Sequence, residues 1–570
     1  MQALILNSGT GSRMGNPTKP KCLTKLNTSE TILSRQLRQL CELGVRDVII
    51  TTGRYELQEY CKNLPLTFTF VNNPQYDRTN NIYSVYLARK HVNTDLILLH
   101  GDLVFDTYVL YQAINAKNSC MAISTTAPLP QKDFKAVLEN GKITQIGVDY
   151  FDNAVMAQPL YKLNYKDWLT WLENIQLHCE KGETNIYAET ALGNAEIFPL
   201  DFRNLLCQEI DTPEDLAIVN PKLERQKLLY GNALEKLLRD LNFERLFLVC
   251  GKSFETSLLA GIVEKFSVTK FMDFTPNPNF EDVKKAVSAF KESSAQAILA
   301  VGGGSPMDVA KCVKVFSNLQ EDEFLQTDKY TAAIPLIAVP TTAGTGSEST
   351  RFAVIYKNAE KLSLASDCML PDYAILMGEL LATLPIYQKK CTFLDALCQA
   401  LESWWSVNAN EESIAYSKEA ISLLMRSYQQ YLSGDSTADT EILLGSNFAG
   451  RAINITQTTA PHALSYKLTT NYNLPHGHAV AICFPVIWQF MWEKEPKPIF
   501  QEIAEFMGYR TPQEAILGFK NLLKELDINA PTIATEAEIA QLAKSVNQER
   551  LKNSPVPLTA EMIQAIYKEI

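Results

Sequence analysis

An excess of basic residues is the first thing missing from this sequence. Its 570 residues carry 53 Lys+Arg against 64 Asp+Glu, a formal net charge of −11. General nucleic-acid binders and membrane-surface proteins draw their affinity from a basic field, which such a chain lacks. Anionic ligands must therefore be captured locally. Paired cysteines are missing too: the 12 cysteines are scattered, with no CxxC pair. A chain this long needs no disulfide staples, so buried thiols in a reducing compartment are expected. No apolar run is long enough for a bilayer, since the longest, residues 479–492, falls short of the roughly 20 residues a spanning helix needs. The opening MQALILNSG lacks the cationic start and apolar stretch of a secretory signal. The expected setting is cytoplasmic, and the expected partners are small molecules and further copies of the chain, with no nucleic acid and no membrane. Histidine is also scarce, 6 in all, which gives weight to the placing of His462, His476 and His478 in one short stretch.

With 46% hydrophobic and 21% charged residues the chain is globular, and its length suits about three or four domains. Apolar Ala3–Leu6 runs into a glycine-rich loop (NSGTGSRMG), helical spacing follows over Thr31–Leu43, and Val48–Ile50 is the next strand, a β-loop-α-β opening. Leu96–Leu99 followed by His100-Gly101-Asp102 is a second buried strand ending in an acid, as parallel strands do where they deliver ligands at their carboxyl ends. The charged stretch Pro221–Arg239 has the look of a helical connector. A second α/β series follows, with strands at Leu246–Val249, Ala297–Val301 and Ile334–Val339, each ending in a small-residue loop. From about Leu384 the pattern is helical, with amphipathic stretches at Phe393–Val407 and Ser413–Leu432. The expected division is 1–222, a connector at 223–240, 241–384, and 385–570.

Two chemical signatures lie in tandem. In the first, Gly9, Gly11, Ser12 and Arg13 sit between strand and helix, where backbone N–H groups and the helix dipole can hold a polyphosphate. Arg13 and Lys21 would neutralise charge at a phosphate under attack. Asp102 and Asp211 could together hold Mg²⁺, a hard cation suited to carboxylates and phosphates, although single aspartates more often cap turns. In the second, Gly302-Gly303-Gly304-Ser305 follows a buried strand, which fits close backbone approach to a phosphate. Asp395 and Gln399, four positions apart on one helix, share a face. Together with His462 and His476 they supply the two imidazoles and one carboxylate favoured by non-haem Fe²⁺ and acceptable to Zn²⁺.

Over about residues 1–220, the segments GTGSRMG with PK downstream, TNNIYSVYLA, HGDLVFD and EIDTPEDL resemble nucleotidyltransferases that activate small phosphorylated alcohols with CTP, notably the phosphocholine and 2-aminoethylphosphonate cytidylyltransferases. The resemblance implies a Rossmann-like domain in which the loop and Lys21 hold the CTP triphosphate and Asp102 and Asp211 the Mg²⁺. It also implies that Asn80, Asn81 or Ser84 lies near base or ribose and that Lys135 meets phosphates. In-line attack on the α-phosphorus would release pyrophosphate, carried by positioning and metal electrostatics.

Over about 230–570, GGGSPMD, PTTAGTGSE, DALCQALE and the PHALSYKLTTNYNLPHG stretch, with its histidines fourteen positions apart, resemble the iron-containing, group III alcohol dehydrogenases. The resemblance implies an α/β cofactor-binding domain followed by an all-α metal domain. Gly303, Gly304, Ser305 and Asp308 would line a nicotinamide cofactor's pyrophosphate, Thr341 and Thr342 its ribose and phosphates, and Lys361 a ribose hydroxyl. Two positions depart from the pattern: Gln399 and Tyr466 stand where members carry histidines. Tyr466 could supply the proton to a reduced aldehyde. Where NAD-preferring members carry an acid, this chain has Gly251-Lys252-Ser253, which favours NADP(H) over NAD(H). The helix motif and QTTAPHALSY are similar to phosphonoacetaldehyde reductases, and Arg351 and Lys467 are the cations expected to hold the substrate's anionic group.

A reductase and a cytidylyltransferase on one chain suggest a molecule bearing both a carbonyl and an anionic phosphorus group. The leading expectation is reduction of phosphonoacetaldehyde to 2-hydroxyethylphosphonate and its activation with CTP. The alternatives are a CDP-alditol made from a sugar phosphate, and one half acting as a non-catalytic binding module.

Overall fold

A computed structural model of the chain describes residues 1–9, 19–26, 30–61, 64–203, 205–223, 226–332, 334–358, 360–533 and 535–570. It divides into two compact units, Met1–Arg225 and Gln226–Ile570. No helix among the described residues is long and apolar enough to cross a membrane.

In the first unit, strands Thr67–Asn72, Asp47–Thr52, Gln2–Asn7 and Leu96–His100 lie side by side and parallel. Ala154–Leu163 then runs antiparallel to Leu96–His100 and to Cys120–Ser124, and Phe198–Asp201 closes the edge. The unbroken apolar run of Gln2–Asn7 is explained by burial on both faces of the sheet. Helix Ile32–Glu42 starts at a capping box between Thr31 and Ser34, which supplies the otherwise unmet N–H groups of its first turn. Gly101 at the end of its strand leaves room for the Asn7 side chain, whose Oδ1 would lie 1.7 Å from a Cβ there. Asp102 follows directly and is thereby set at the sheet's carboxyl edge.

In the second unit six parallel strands run in the order Lys227–Tyr230, Tyr373–Leu376, Leu336–Pro340, Ala297–Gly302, Arg245–Cys250 and Ser267–Phe271 among the described residues. The stretch expected to be a connector over 223–240 is corrected here. Lys227–Tyr230 is an edge strand of this sheet, and Leu234–Asp240 is a helix whose Leu234 and Leu238 enter the core beneath it. Charged residues on that helix's outer face had masked the apolar pair. The antiparallel hairpin Phe352–Lys357 and Glu360–Ala365 follows, and from Ile386 onward the regular structure is helical. Helix Ile386–Trp405 is not an amphipathic surface helix: every residue from Cys391 to Trp405 is buried. It is the central helix, packed by Glu411–Ser433, Asp439–Thr456 and His476–Lys494.

Candidate active sites

In the first unit a cavity of about 270 Å³ opens where Gln2–Asn7 and Leu96–His100 end, lined by Gly9, Asn80, His100, Asp102, Glu209 and Asp211 among others. The Lys21 ammonium donates to Asp102 Oδ2 at 2.6 Å and to Asp211 Oδ1. Burial opposes the charge on Lys21, but the two carboxylates outweigh it and raise its pKa. Burial likewise opposes ionisation of Asp102, which Lys21 and His100 overcome, holding the carboxyl below its usual range. Two acids therefore converge on one cation, with Asp102 Oδ1 buried and without a hydrogen bond. His100 lies between Glu209, 3.1 Å from Nδ1, and Glu189, 3.5 Å from Nε2. Burial disfavours the imidazolium, yet these glutamates push its pKa to about 10. Glu209 is itself pushed up to about 7 by burial and by Asp102. His100, Asp102 and Glu209 offer ligand atoms within 4.8 Å of one another.

In the second unit a cavity of about 290 Å³ lies between the sheet's carboxyl edge, the hairpin and the helices. Gly304 and Ser305 line one wall. They open helix Gly304–Phe316, whose first N–H groups and dipole favour a phosphate. Asp308, one turn on, lines the same wall, and burial pushes its pKa up to about 6. The opposite wall carries Asp395, Gln399, His462, Tyr466 and His476. Ligand atoms of Asp395, His462 and His476 lie within 4.8 Å of one another. Gly477 permits this convergence: a Cβ there would sit 1.9 Å from the Cys391 carbonyl oxygen and 2.8 Å from Asp395 Cβ. Without a side chain, the helix bearing His476 can press against the helix bearing Asp395.

This donor set fits a divalent metal. His462 Nδ1 is engaged by buried Glu402, whose carboxylate also accepts from the Thr459 N–H at 2.9 Å. That leaves Nε2 turned to Asp395 Oδ1, 3.3 Å away. His462 Nε2, Asp395 Oδ1 and Gln399 Oε1 are all buried without a hydrogen-bond partner. Acceptor atoms gathered in a buried site call for a positive charge among them, a proton or a metal ion. Burial opposes charge on His462, but Glu402 and Asp395 push its pKa to about 10, so without a metal Nε2 carries a proton toward Asp395 that a bound metal would displace. Burial lowers His476 to about 4, so this imidazole keeps a lone pair free to coordinate.

Comparison with known proteins agrees with both architectures. Residues 226–377 match the iron-containing alcohol dehydrogenase model and 390–570 the C-terminal model of the Fe-containing alcohol dehydrogenases. The 4-hydroxybutyrate dehydrogenase of Clostridium kluyveri is 32% identical over 314 residues, 51% of this chain and 83% of that protein. The chain belongs to the iron-containing alcohol dehydrogenase family. The phosphonoacetaldehyde reductase of Streptomyces viridochromogenes is 36% identical over 202 residues, 33% of this chain and 51% of that protein. The crystal structure of the iron-containing alcohol dehydrogenase from Thermotoga maritima superposes with a TM-score of 0.55 at 29% identity, covering 61% of this chain and 98% of the other. Residues 3–139 match the MobA-like NTP transferase domain. The chain is thus an enzyme with an NTP transferase domain ahead of an iron-containing dehydrogenase.

Within the transferase unit, Gly9, Asn80, Asn81, Asp102 and Asp211 line one cavity, while Gly11, Ser12 and Arg13 lie outside the described residues. Ser84 is not at the surface of the cavity: it is buried and bonded to Ser8 Oγ at 2.6 Å and Asn73 at 3.0 Å, so it braces the loop from below. Asn81 is held by Glu189 at 3.0 Å and by the Ala188 N–H at 2.8 Å. Lys135 is fully buried and donates to the Asp133 and Val148 carbonyls at 3.2 and 2.5 Å. Lys132, three residues earlier, lines the cavity in its place. Lys132, Asp133 and Phe134 line the cavity, and Lys135, the first residue of the strand, turns its ammonium to backbone carbonyls instead.

Within the dehydrogenase unit, Gly304, Ser305, Asp308 and Lys361 line the cavity as expected, together with the four residues expected around the metal. Gly303, Thr341 and Thr342 lie beside it on adjacent strand ends, the Thr341 N–H donating to the Gly302 carbonyl at 3.0 Å. Gly251, Lys252 and Ser253 end the neighbouring strand, with Lys252 and Ser253 exposed. His478 is parted from the metal cluster: it accepts from or donates to the Tyr387 hydroxyl at 2.8 Å and meets the Asn529 carbonyl at 2.9 Å. The expected anion-binding pair is corrected. Arg351 is turned to Asp367 at 2.8 Å, and neither Arg351 nor Lys467 lines the cavity. Arg550 does line it. Sequence reasoning missed it, since it stands alone far along the chain with no motif around it. Glu402 had a signal that went unused: it lies seven positions after Asp395, two turns along one helix face.

Proposed function

We propose that the chain reduces phosphonoacetaldehyde to 2-hydroxyethylphosphonate with NADPH, or NADH, and then joins that product to CMP, consuming CTP and releasing pyrophosphate. The observation that carries this reading is the tandem itself. A cavity with a metal-ready donor cluster and two cations, Lys361 and Arg550, stands in the same chain as an acid-lined transferase cavity. A single substrate suited to both bears a carbonyl and an anionic phosphorus group. The identity to a phosphonoacetaldehyde reductase supports the choice of aldehyde.

In the reductase cavity Asp395, His462 and His476, with the Gln399 amide oxygen beside them, would hold Fe²⁺ or Zn²⁺, which supplies polarisation of the aldehyde oxygen. A nicotinamide cofactor supplies the hydride. Glu402 fixes the His462 ring by engaging Nδ1, so that Nε2 faces the cluster. Gly304 and Ser305 present N–H groups to the cofactor's pyrophosphate. Gly251-Lys252-Ser253, where NAD-preferring members carry an acid, suits the 2′-phosphate of NADP(H). Tyr466 stands against His476 with ring centroids 6.1 Å apart and hands its phenolic proton to the developing alkoxide. Burial works against ionisation of Tyr466, but Lys361 and Arg550 outweigh it and lower its pKa, which eases that transfer.

In the transferase cavity Gly9, with Gly11, Ser12 and Arg13, is assigned to the CTP phosphates. Asp102 and Asp211 would hold Mg²⁺, which supplies charge neutralisation at the phosphates. Lys21 then moves from these acids to the α-phosphate as an oxygen of the phosphonate attacks phosphorus and the bond to the departing pyrophosphate breaks. Phosphorus NMR of the protein with phosphonoacetaldehyde, NADPH, CTP and Mg²⁺ tests the reading. A mixed phosphonate–phosphate anhydride should accumulate with pyrophosphate. Turnover of a ketose or aldose phosphate, with no such anhydride, would replace phosphonate by polyol chemistry.

A further inference from the structure

We infer that Arg550, framed by Thr458 and Ser363 and neighboured by Lys361, is the seat that selects aldehydes carrying an anionic end. Arg550 belongs to the short helix Gln548–Leu551, more than seventy residues beyond the last metal-site histidine, yet it lines the same cavity as Asp395, His462 and His476. Its guanidinium donates to Thr458 Oγ1 at 3.1 Å and to Ser363 Oγ at 3.4 Å. Lys361 lies with its ammonium 3.3 Å from the centre of the Tyr466 ring. Among the described residues neither cation is within ion-pair distance of a carboxylate; Asp308 acts on Lys361 from farther off.

Both cations thus face the cavity without an ion pair, in a chain whose net charge is −11. Elsewhere in the dehydrogenase unit Arg351 is paired with Asp367 at 2.8 Å and Lys314 with Asp372 at 2.9 Å, while buried Lys311 is held by the Ser347 and Thr350 hydroxyls and the Phe352 carbonyl. Two positive groups placed together in a partly dry cavity repel each other and lose hydration, a cost that an incoming anion reverses. The dinucleotide's pyrophosphate has its own place at the N-terminus of helix Gly304–Phe316. Arg550 is therefore left for the other ligand. Its hydroxyl contacts fix the plane of the fork and leave remaining N–H groups for a phosphonate, sulfonate or carboxylate oxygen pair. The assignment rests on the aldehyde reduction proposed above and adds what chooses among aldehydes.

The test compares kcat/KM of the full-length, metal-loaded protein for phosphonoacetaldehyde, a carboxylate-ended aldehyde such as succinic semialdehyde, and neutral butanal. In Arg550→Ala the ratio of anionic to neutral substrate should fall by about 10- to 100-fold, the scale of a lost charge-assisted hydrogen bond. Arg550→Lys should recover part of it, since the charge stays while the fork is lost. Ethylphosphonate, as a competitive inhibitor against the aldehyde, should weaken in parallel. An unchanged ratio in both variants overturns the seat. So does an unchanged ratio with a raised KM for the dinucleotide, which would assign Arg550 to the cofactor. Wild-type turnover of the carboxylate aldehyde alone, with its preference lost in Arg550→Ala, keeps the seat and rejects phosphonoacetaldehyde as the substrate.

Discussion

The two cavities treat positive charge in opposite ways. In the transferase unit the acids Asp102 and Asp211 are already bridged by Lys21. In the dehydrogenase unit Asp395 Oδ1, Gln399 Oε1 and His462 Nε2 converge, buried and without a hydrogen-bond partner. A site that brings its own cation can wait for a metal arriving with a nucleotide and exchange it at each turnover. Mg²⁺, which sheds water reluctantly and is shared with substrate phosphates, suits that arrangement. A buried site of converging imidazoles and a carboxylate suits a resident metal. The difference teaches that an acid near a strand end is not by itself a metal ligand: its partner in the empty state decides how strongly it calls for one.

The comparison breaks first if the second site holds no metal. Asp395→Ala should strip Fe or Zn from the purified protein and cut aldehyde reduction by about 10³-fold or more, because metal polarisation is worth several kcal/mol at the transition state. Metal analysis alone decides the matter: full metal content in this variant refutes the ligand set. Next in size, Lys21→Ala should lower pyrophosphate release by about 10²-fold or more, as expected for removing a charge at the reacting phosphate, while NADPH oxidation continues at the parental rate. Parallel loss of both activities would contradict two separately working sites. Glu402→Gln removes the carboxylate that orients His462 and should weaken metal retention by about 10- to 100-fold in a chelator competition. Retention as tight as in the parent would leave Glu402 a mere packing residue. The smallest effect is expected of Gln399→His, which exchanges an amide oxygen for an imidazole and should slow chelator stripping several-fold. Faster stripping would show that the histidine cannot reach the cluster.

Much of this was legible in the chain. The β-loop-α-β opening, the strand ending in His100-Gly101-Asp102, the glycine triplet after Ala297–Val301 and the helical remainder from about residue 384 all appear where periodicity and small-residue loops put them. These features are local, set by a few neighbouring residues. Errors came where local pattern and tertiary burial diverge. Lys227–Tyr230 joins a sheet edge through pairing with Tyr373–Leu376, some 145 positions away, which no local pattern announces. Lys135 was expected among phosphates and instead satisfies two backbone carbonyls inside the fold.

By itself the sequence indicated the two enzyme families and many of the residues that line the two cavities, because glycine loops, strand-end acids and widely spaced histidines reflect constraints of backbone and ligand that act at close range. Only the tertiary structure decided that Arg550 joins Lys361 in lining the dehydrogenase cavity. Arg351 and Lys467 stand next to motif residues in the chain but not beside the cavity, and Arg550 stands far from every motif but within it. The physical reason is that charge acts through space, in a cavity assembled from elements brought together by burial of their apolar faces, and sequence neighbourhood carries little of that information.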